Sequence, residues 1–276
     1  MRIKIIAICF IVILAILGAG AGVISFLQNK QQSAPLPAKQ KIEANITITS
    51  PAVNETVDFP FTIKGQARVF ENALNIRLKD YEGNILFETN TISDAPDIGQ
   101  FGPYEEEINY LEKLPEGEGV VLGAFDYSAK DGSEIDLVSV PIKLNIGKTS
   151  KSKLYFNNNK LDPKISCNKV FATERIIAAT STPAAASVRL LLGGTTKNEY
   201  AEGYFTNINM GVKLQKLTIE NNTAYADFDS QLESSVGGSC RVTAIRAQIT
   251  ETLKQFPTVK KVMISINGRT EDILQP

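Results

Sequence analysis

Every position from Ile5 to Leu27 is apolar, small or uncharged, a run that a water-soluble fold has little room for. As a helix rising about 1.5 Å per residue it spans roughly 35 Å, enough to cross a hydrocarbon core of about 30 Å with some tilt. Arg2 and Lys4 precede it and only Lys30 follows closely, so the positive-inside tendency leaves the N-terminus in the cytoplasm and places the rest outside. The expected arrangement is a single-pass signal anchor in the cell membrane: an N-terminal transmembrane helix over residues 1–28, meeting the lipid bilayer through positions 5–27, with extracytoplasmic domains behind it. A cleaved signal peptide competes with this reading. The strongest apolar stretch is Ile5 to Leu17, and Ala19-Gly20-Ala21 resembles a cleavage site, which would give a protein secreted after a cut near Ala21. Cys9 sits inside the run and not after it, which does not suit lipid attachment and reads as a small apolar filler. Residues 29–44, with Pro35-Leu36-Pro37 and few large apolar side chains, read as an extended, solvated linker.

The chain is long enough for about two compact units. Its 276 residues carry a formal charge of -1 with both signs dispersed, so there is no basic footprint for nucleic acid and no acidic tail. Histidine is absent. That removes the usual general base near neutral pH and the commonest zinc ligand, and with them most familiar catalytic triads. No catalytic residue, cofactor site or metal site is expected.

Residues 45–146 change to a period of two. Ile46-Thr47-Ile48-Thr49, Phe61-Thr62-Ile63-Lys64-Gly65 and Leu74-Asn75-Ile76-Arg77-Leu78-Lys79 alternate apolar and polar, and Ser50-Pro51 is a natural strand stop. Asp80 to Asn84 and Lys130-Asp131-Gly132-Ser133 supply turn residues for two hairpins. About seven short strands predict an all-β antiparallel sandwich. This stretch has neither tryptophan nor a cysteine pair, so its core must be aliphatic and Phe-based. Asp126, Asp131, Glu134 and Asp136 invite a calcium reading, but their spacing does not fit an EF-hand loop and Asp131-Gly132 is explained by the turn. Glu105, Glu106 and Glu107 read as a solvated strand edge, because neighbours on a strand face opposite ways. The runs Ile48-Thr49-Ser50-Pro51, Gly65 to Glu71, Gly99 to Tyr104 and Ser128 to Ser133 together resemble the immunoglobulin-like domain of bacterial spore germination proteins, of the Gmad type. The resemblance implies an immunoglobulin-like binding or spacer module without catalytic residues.

After a polar connector expected at Gly147 to Ser152, residues 153–274 mix helix and strand. Lys153 to Phe156 and Lys169 to Ile176 read as antiparallel strands. Thr182 as N-cap and Pro183 at the first helical position open a helix over Ala184 to Leu192 that Gly193-Gly194 stops. Val212 to Ile219 and Ala224 to Phe228 flank Asn221-Asn222 as a hairpin. Ile245, Ile249, Leu253 and Phe256 recur at helical spacing over Val242 to Phe256, and Lys260 to Ile266 is a strand. The order predicts an α+β domain with two helices packed on one face of a small sheet. Leu154-Tyr155-Phe156, Val170 with Arg175, Val188 to Gly194, Thr223 to Phe228, and Gln248 to Leu253 through Val259 to Val262 and Asn267-Gly268 resemble the GerMN domain of sporulation and germination proteins. Members are exported, and the fold is similar to ring-building motifs of envelope channels, which implies assembly and not turnover. The pattern often has proline after Leu-Leu-x-Gly, where this chain has Gly194 and Thr195.

Cys167 and Cys240 are the only cysteines in the folded part. Outside the cytoplasm they are free to form a disulfide, whose loop closure stabilises by up to about 4 kcal/mol in the entropy model. A reactive Cys240 beside Arg241 at a helix start, and two free buried thiols, are the other readings. Gly193-Gly194-Thr195-Thr196 follows a helix and lacks a phosphate-loop lysine, so it reads as a helix cap. The leading functional reading is a non-catalytic scaffold or assembly component of the cell envelope, with protein partners or self-association. The alternative is a sensor of a cell-wall glycan or peptidoglycan, for which Tyr81, Tyr104, Tyr110 and Tyr127 are the aromatic platforms of the first domain. A hydrolase working through Asp227 or Asp229 is the third.

Overall fold

The structure, a computed structural model, describes residues 44–275. The span at 1–28, its bilayer contact at 5–27, the cleavage position near Ala21 and nearly all of the 29–44 linker lie outside the described residues. Among the described residues no helix is long and apolar enough to cross a membrane.

The first half holds eight strands: β1 (Ile46–Ser50), β2 (Thr56–Asp58), β3 (Phe61–Ala67), β4 (Ala73–Asp80), β5 (Ile85–Ile92), β6 (Gly102–Ile108), β7 (Gly119–Tyr127) and β8 (Glu134–Asn145). They form two layers, a three-stranded sheet ordered β1-β3-β6 and a five-stranded sheet ordered β2-β8-β7-β4-β5. The alternation read from the sequence is what closes them. Ile46, Ile63, Leu74, Ile76, Leu78, Ile108, Val120 and Leu122 turn inward and are buried, with Phe87 and Phe59 completing an aliphatic and aromatic core. Both expected hairpins are present, β4 to β5 and β7 to β8. The three-residue β2, which pairs in parallel with β8, was not among the expected strands. Gly65 permits the closest approach in the sandwich. A Cβ there would lie 2.0 Å from the Thr47 carbonyl oxygen, and across it the Tyr104 hydroxyl donates to that same oxygen at 3.0 Å.

The second half contains β9 (Thr149–Asn158), β10 (Phe171–Ala178), α1 (Pro183–Leu192), α2 (Lys197–Ala201), β11 (Tyr204–Phe205), β12 (Leu214–Glu220), β13 (Thr223–Phe228), α3 (Ser239–Lys254) and β14 (Lys261–Ile266). The single small sheet expected here is instead two three-stranded sheets, β10-β9-β11 and β12-β13-β14. Helices α1 and α3 pack on each other and both touch β9, while α1 also meets β12 and α3 meets β14, so the helix pair serves both sheets. Phe156, Val188, Leu191, Ala226, Phe228, Ile245, Ile249, Leu253 and Ile266 fill the shared core. The β12–β13 hairpin turns through Asn221 and Asn222 at φ 49° and 62°, the paired positive angles that suit a tight two-residue hairpin. Strand β14 runs parallel to β13, and α3 is the crossover between them.

Two further expectations are corrected. The connector at 147–152 is shorter, because β9 starts at Thr149 and its first residues are laddered to β10, Ala178 opposite Thr149 and Ile177 opposite Ser150. Thr182 precedes α1 as expected, yet its side chain caps nothing and instead lies 3.4 Å from the Thr180 hydroxyl. Cys167, in the loop after β9, and Cys240, in the first turn of α3, are disulfide-bonded with their Cα atoms 5.1 Å apart.

Candidate functional site at the domain junction

The two halves meet through three layers of contact. Only Ile146, Gly147 and Lys148 separate β8 from β9. Beside them Leu111 and Ile176 exchange backbone hydrogen bonds of 2.8 and 2.7 Å, so a segment of the sandwich adds one rung to the edge of β10. Tyr110 is buried next to that rung. The Arg175 guanidinium carbon lies 4.5 Å from the centre of its ring, and Phe87 lies 4.9 Å away between ring centres. Burial pushes the Tyr110 hydroxyl well above its ordinary pKa.

Arg175 itself is held by a buried fork. Its Nε and Nη2 donate to the two Glu199 carboxylate oxygens at 3.2 and 2.6 Å, and Nη2 also donates to the Gly194 carbonyl at 2.7 Å. Glu199 is the N3 residue of α2 and closes a capping box, accepting the Thr196 amide while the Thr196 hydroxyl accepts the Glu199 amide. The short α2 is therefore fixed at its start by a buried ion pair. That aims Lys197 and Asn198 at the sandwich.

Lys197 lands on the outer face of the five-stranded sheet. Its ammonium lies 2.7 Å from Glu88, donates to Asn75 at 3.0 Å and stands 4.6 Å from the centre of the Tyr127 ring. Glu88 is paired at the same time with Arg77, which reaches Glu134 at 2.5 Å and stacks 4.3 Å above the buried Phe125 ring. Burial raises the Glu88 carboxyl, but the hydrogen bonds and charges of Arg77 and Lys197 outweigh it and hold the group below its ordinary range. Asn198 donates to Glu112 at 2.7 Å. Burial keeps the Glu112 carboxyl above its ordinary range despite that bond.

Next to these anchors lies a cleft of about 460 Å³, walled by Asn90, Glu106 and Glu107 from the sandwich and by Arg189, Lys197 and Met210 from the second half. Burial raises the Glu106 carboxyl, and the charge of Glu107 adds to it. Chemically the cleft offers hydrogen-bonding edges and fixed charges of both signs.

The residues singled out in the sequence are spread over other tasks. Cys167 and Cys240 are joined to each other. Asp126 accepts the Tyr127 amide, Asp131 accepts from Ser133 inside its turn, Glu134 pairs with Arg77 and Asp136 accepts from Asn45. Glu105 pairs with Lys64, Glu106 faces the seam between β5 and β6, and Glu107 accepts from Asn109. Asp227 accepts the Ser265 hydroxyl and the Gly268 amide, and Asp229 accepts the Lys213 amide, which ties both to backbone and hairpin geometry. Of the four tyrosines, Tyr104 and Tyr110 are 3% and 8% exposed, Tyr127 is 37% exposed with the Lys197 ammonium near its ring, and Tyr81 is 65% exposed. Sequence reasoning missed Lys197, Glu88 and Glu199, and it met Arg175 only as part of the family resemblance and not as half of an ion pair. Thr196-x-x-Glu199 was the available signal for Glu199.

Residues 45–133 match the immunoglobulin-like domain of bacterial spore germination, and residues 153–272 match the sporulation and spore germination family. Among solved structures the chain is similar to the tandem GerMN domains of the sporulation protein GerM from Bacillus subtilis, with 20% identity and a TM-score of 0.36 over 45% of this chain and 41% of that one. It is also similar to the first GerMN domain of that protein, with 20% identity and a TM-score of 0.35 over 44% of this chain and 85% of that one. The chain thus spans less than half of the tandem-domain structure. No curated protein matches it.

Proposed function

We propose, from the premise that this chain carries an immunoglobulin-like germination domain and a sporulation and spore germination domain in series, that it is a non-catalytic assembly component of the bacterial cell envelope. Residues 5–27 anchor it in the membrane, and both domains stand outside the cytoplasm, where they dock to copies of the chain or to partner envelope proteins. One observation carries this reading: the junction couples the two domains into one body, through the Leu111–Ile176 rung and the Lys197 anchor.

The outer face of β12-β13-β14 supports docking. Tyr225 and Met263 are cross-strand partners there, 45% and 43% exposed, and such exposed aromatic and methionine side chains are favoured at interfaces. Asp227 and Asp229 are engaged in backbone and hairpin bonds, which argues against the hydrolase. The glycan-sensor reading has weaker support, because Tyr104 and Tyr110 are interior. Light scattering of the full chain in detergent tests the assembly. Concentration-dependent oligomers that disappear in a Tyr225→Asp, Met263→Asp variant support it. A monomer at every concentration, together with retention on purified peptidoglycan, would favour the sensor.

A further inference from the structure

The junction cleft is floored by an unfinished sheet edge. Strand β5 pairs with β4 on one side only. Ser93 donates its amide to the Asn72 carbonyl at 2.8 Å, which fixes the parity of that ladder. Leu74 with Thr91, Ile76 with Thr89, and Leu78 with Phe87 exchange bonds, so Glu88, Asn90 and Ile92 turn their N–H and C=O groups to the opposite side. The chain already uses this edge once. The Glu112 amide donates to the Leu86 carbonyl at 2.7 Å, after which the segment turns away. Beyond Leu86, the described residues supply no backbone partner to Glu88, Asn90 or Ile92 on that side; the Asn90 carbonyl takes only the Thr89 hydroxyl, at 3.4 Å.

The wall facing this edge is acidic and unneutralised. Lys64 is spent on Glu105, while Glu106 and Glu107 have no ion-pair partner among the described residues. On the opposite rim Lys197 is committed to Glu88, whereas Arg189 is exposed and has no ion-pair partner among the described residues. From Glu88 to Ile92 the edge runs for about 13 Å at roughly 3.3 Å per residue, the length of a short strand.

We propose that this edge is a binding site for an extended polypeptide segment carrying lysine or arginine. The segment adds as a strand beside β5 and takes main-chain bonds from Glu88, Asn90 and Ile92. Basic side chains of the segment lie against Glu106 and Glu107, which line the cleft from opposite faces of β6, and Arg189 receives a carbonyl or carboxylate of the same segment. Main-chain pairing supplies the attraction and the acidic wall supplies the selectivity, which is how edge-adding peptides are recognised. The site lies away from Tyr225 and Met263, so its fate in experiment is separable from that of the assembly surface.

The test uses the full chain in detergent with two capped hexapeptides, one alternating valine and lysine and one alternating valine and glutamate. The lysine peptide is expected to slow hydrogen exchange at the Glu88, Asn90 and Ile92 amides and to bind about tenfold more weakly to the Glu106→Gln, Glu107→Gln double variant. An Asn90→Pro variant removes an outward-facing donor, which an edge strand tolerates, and is expected to abolish that protection. Protection elsewhere with none on β5, equal binding of both peptides, or full binding to Asn90→Pro would overturn the proposal.

Discussion

The Lys197 ammonium and the Arg77 guanidinium share one carboxylate, that of Glu88, with Lys197 arriving at 2.7 Å from the second domain and Arg77 from the strand beside it. Glu88 thereby joins the two domains, while Glu134, the second partner of Arg77, supplies the other negative charge.

Replacing Lys197 by methionine leaves the Arg77–Glu88 pair in place and removes one of the links between domains, with the Leu111–Ile176 rung, the Asn198–Glu112 bond and the Arg175–Tyr110 contact retained. Because Lys197 is partly solvated, the expected loss is about 1–2 kcal/mol in urea unfolding. Faster proteolytic cleavage at Ile146 to Lys148 should accompany it, and an unchanged cleavage rate would show that the remaining junction contacts suffice.

Arg175→Ala strands the buried Glu199 carboxylate without its fork. The expected cost is about 3–5 kcal/mol in thermal or denaturant unfolding. Glu199→Gln keeps an acceptor for the Thr196 amide and should lose less.

Under oxidising conditions the denatured chain should titrate one thiol, that of Cys9, and after reduction all three cysteines. Replacing Cys167 and Cys240 by serine should lower stability by up to about 4 kcal/mol, since the bridge joins residues 73 apart in sequence.

Stability should respond to pH in two directions. The Glu88 carboxyl lies below its ordinary 4.5 in the fold, so its contribution is present above that value and is lost as pH falls through the depressed one. The Glu106 and Glu112 carboxyls lie above 4.5. Their ionisation opposes folding, and that penalty develops as pH rises from 4.5 through the raised values. Lowering the pH from neutral should therefore first stabilise the protein and then, below about 4.5, destabilise it. The Glu106→Gln variant should flatten the first phase in pH-dependent melting.

Elements written in local chemistry are legible in the sequence. Alternation marks the sandwich strands, Asn221-Asn222 marks a hairpin, and Ile245, Ile249 and Leu253 mark α3. Helix α2 escapes because its five residues are too few to show a period, although Thr196 and Glu199 spell its cap. The second sheet escapes because strand order is set by tertiary pairing, which no single segment records. Most of the candidate site is hidden for the same reason. Leu111 meets Ile176 and Lys197 meets Glu88 across long stretches of sequence, and nothing in either neighbourhood names its partner.

Lys148, inside the three-residue connector, accepts a hydrogen bond from the Ala179 amide at 2.8 Å, so even the connector is pinned to the end of β10. With the Leu111–Ile176 rung beside it, the connector is held by backbone bonds on both sides of the junction and is not a free swivel. A partner that grips one half is therefore expected to turn the other with it.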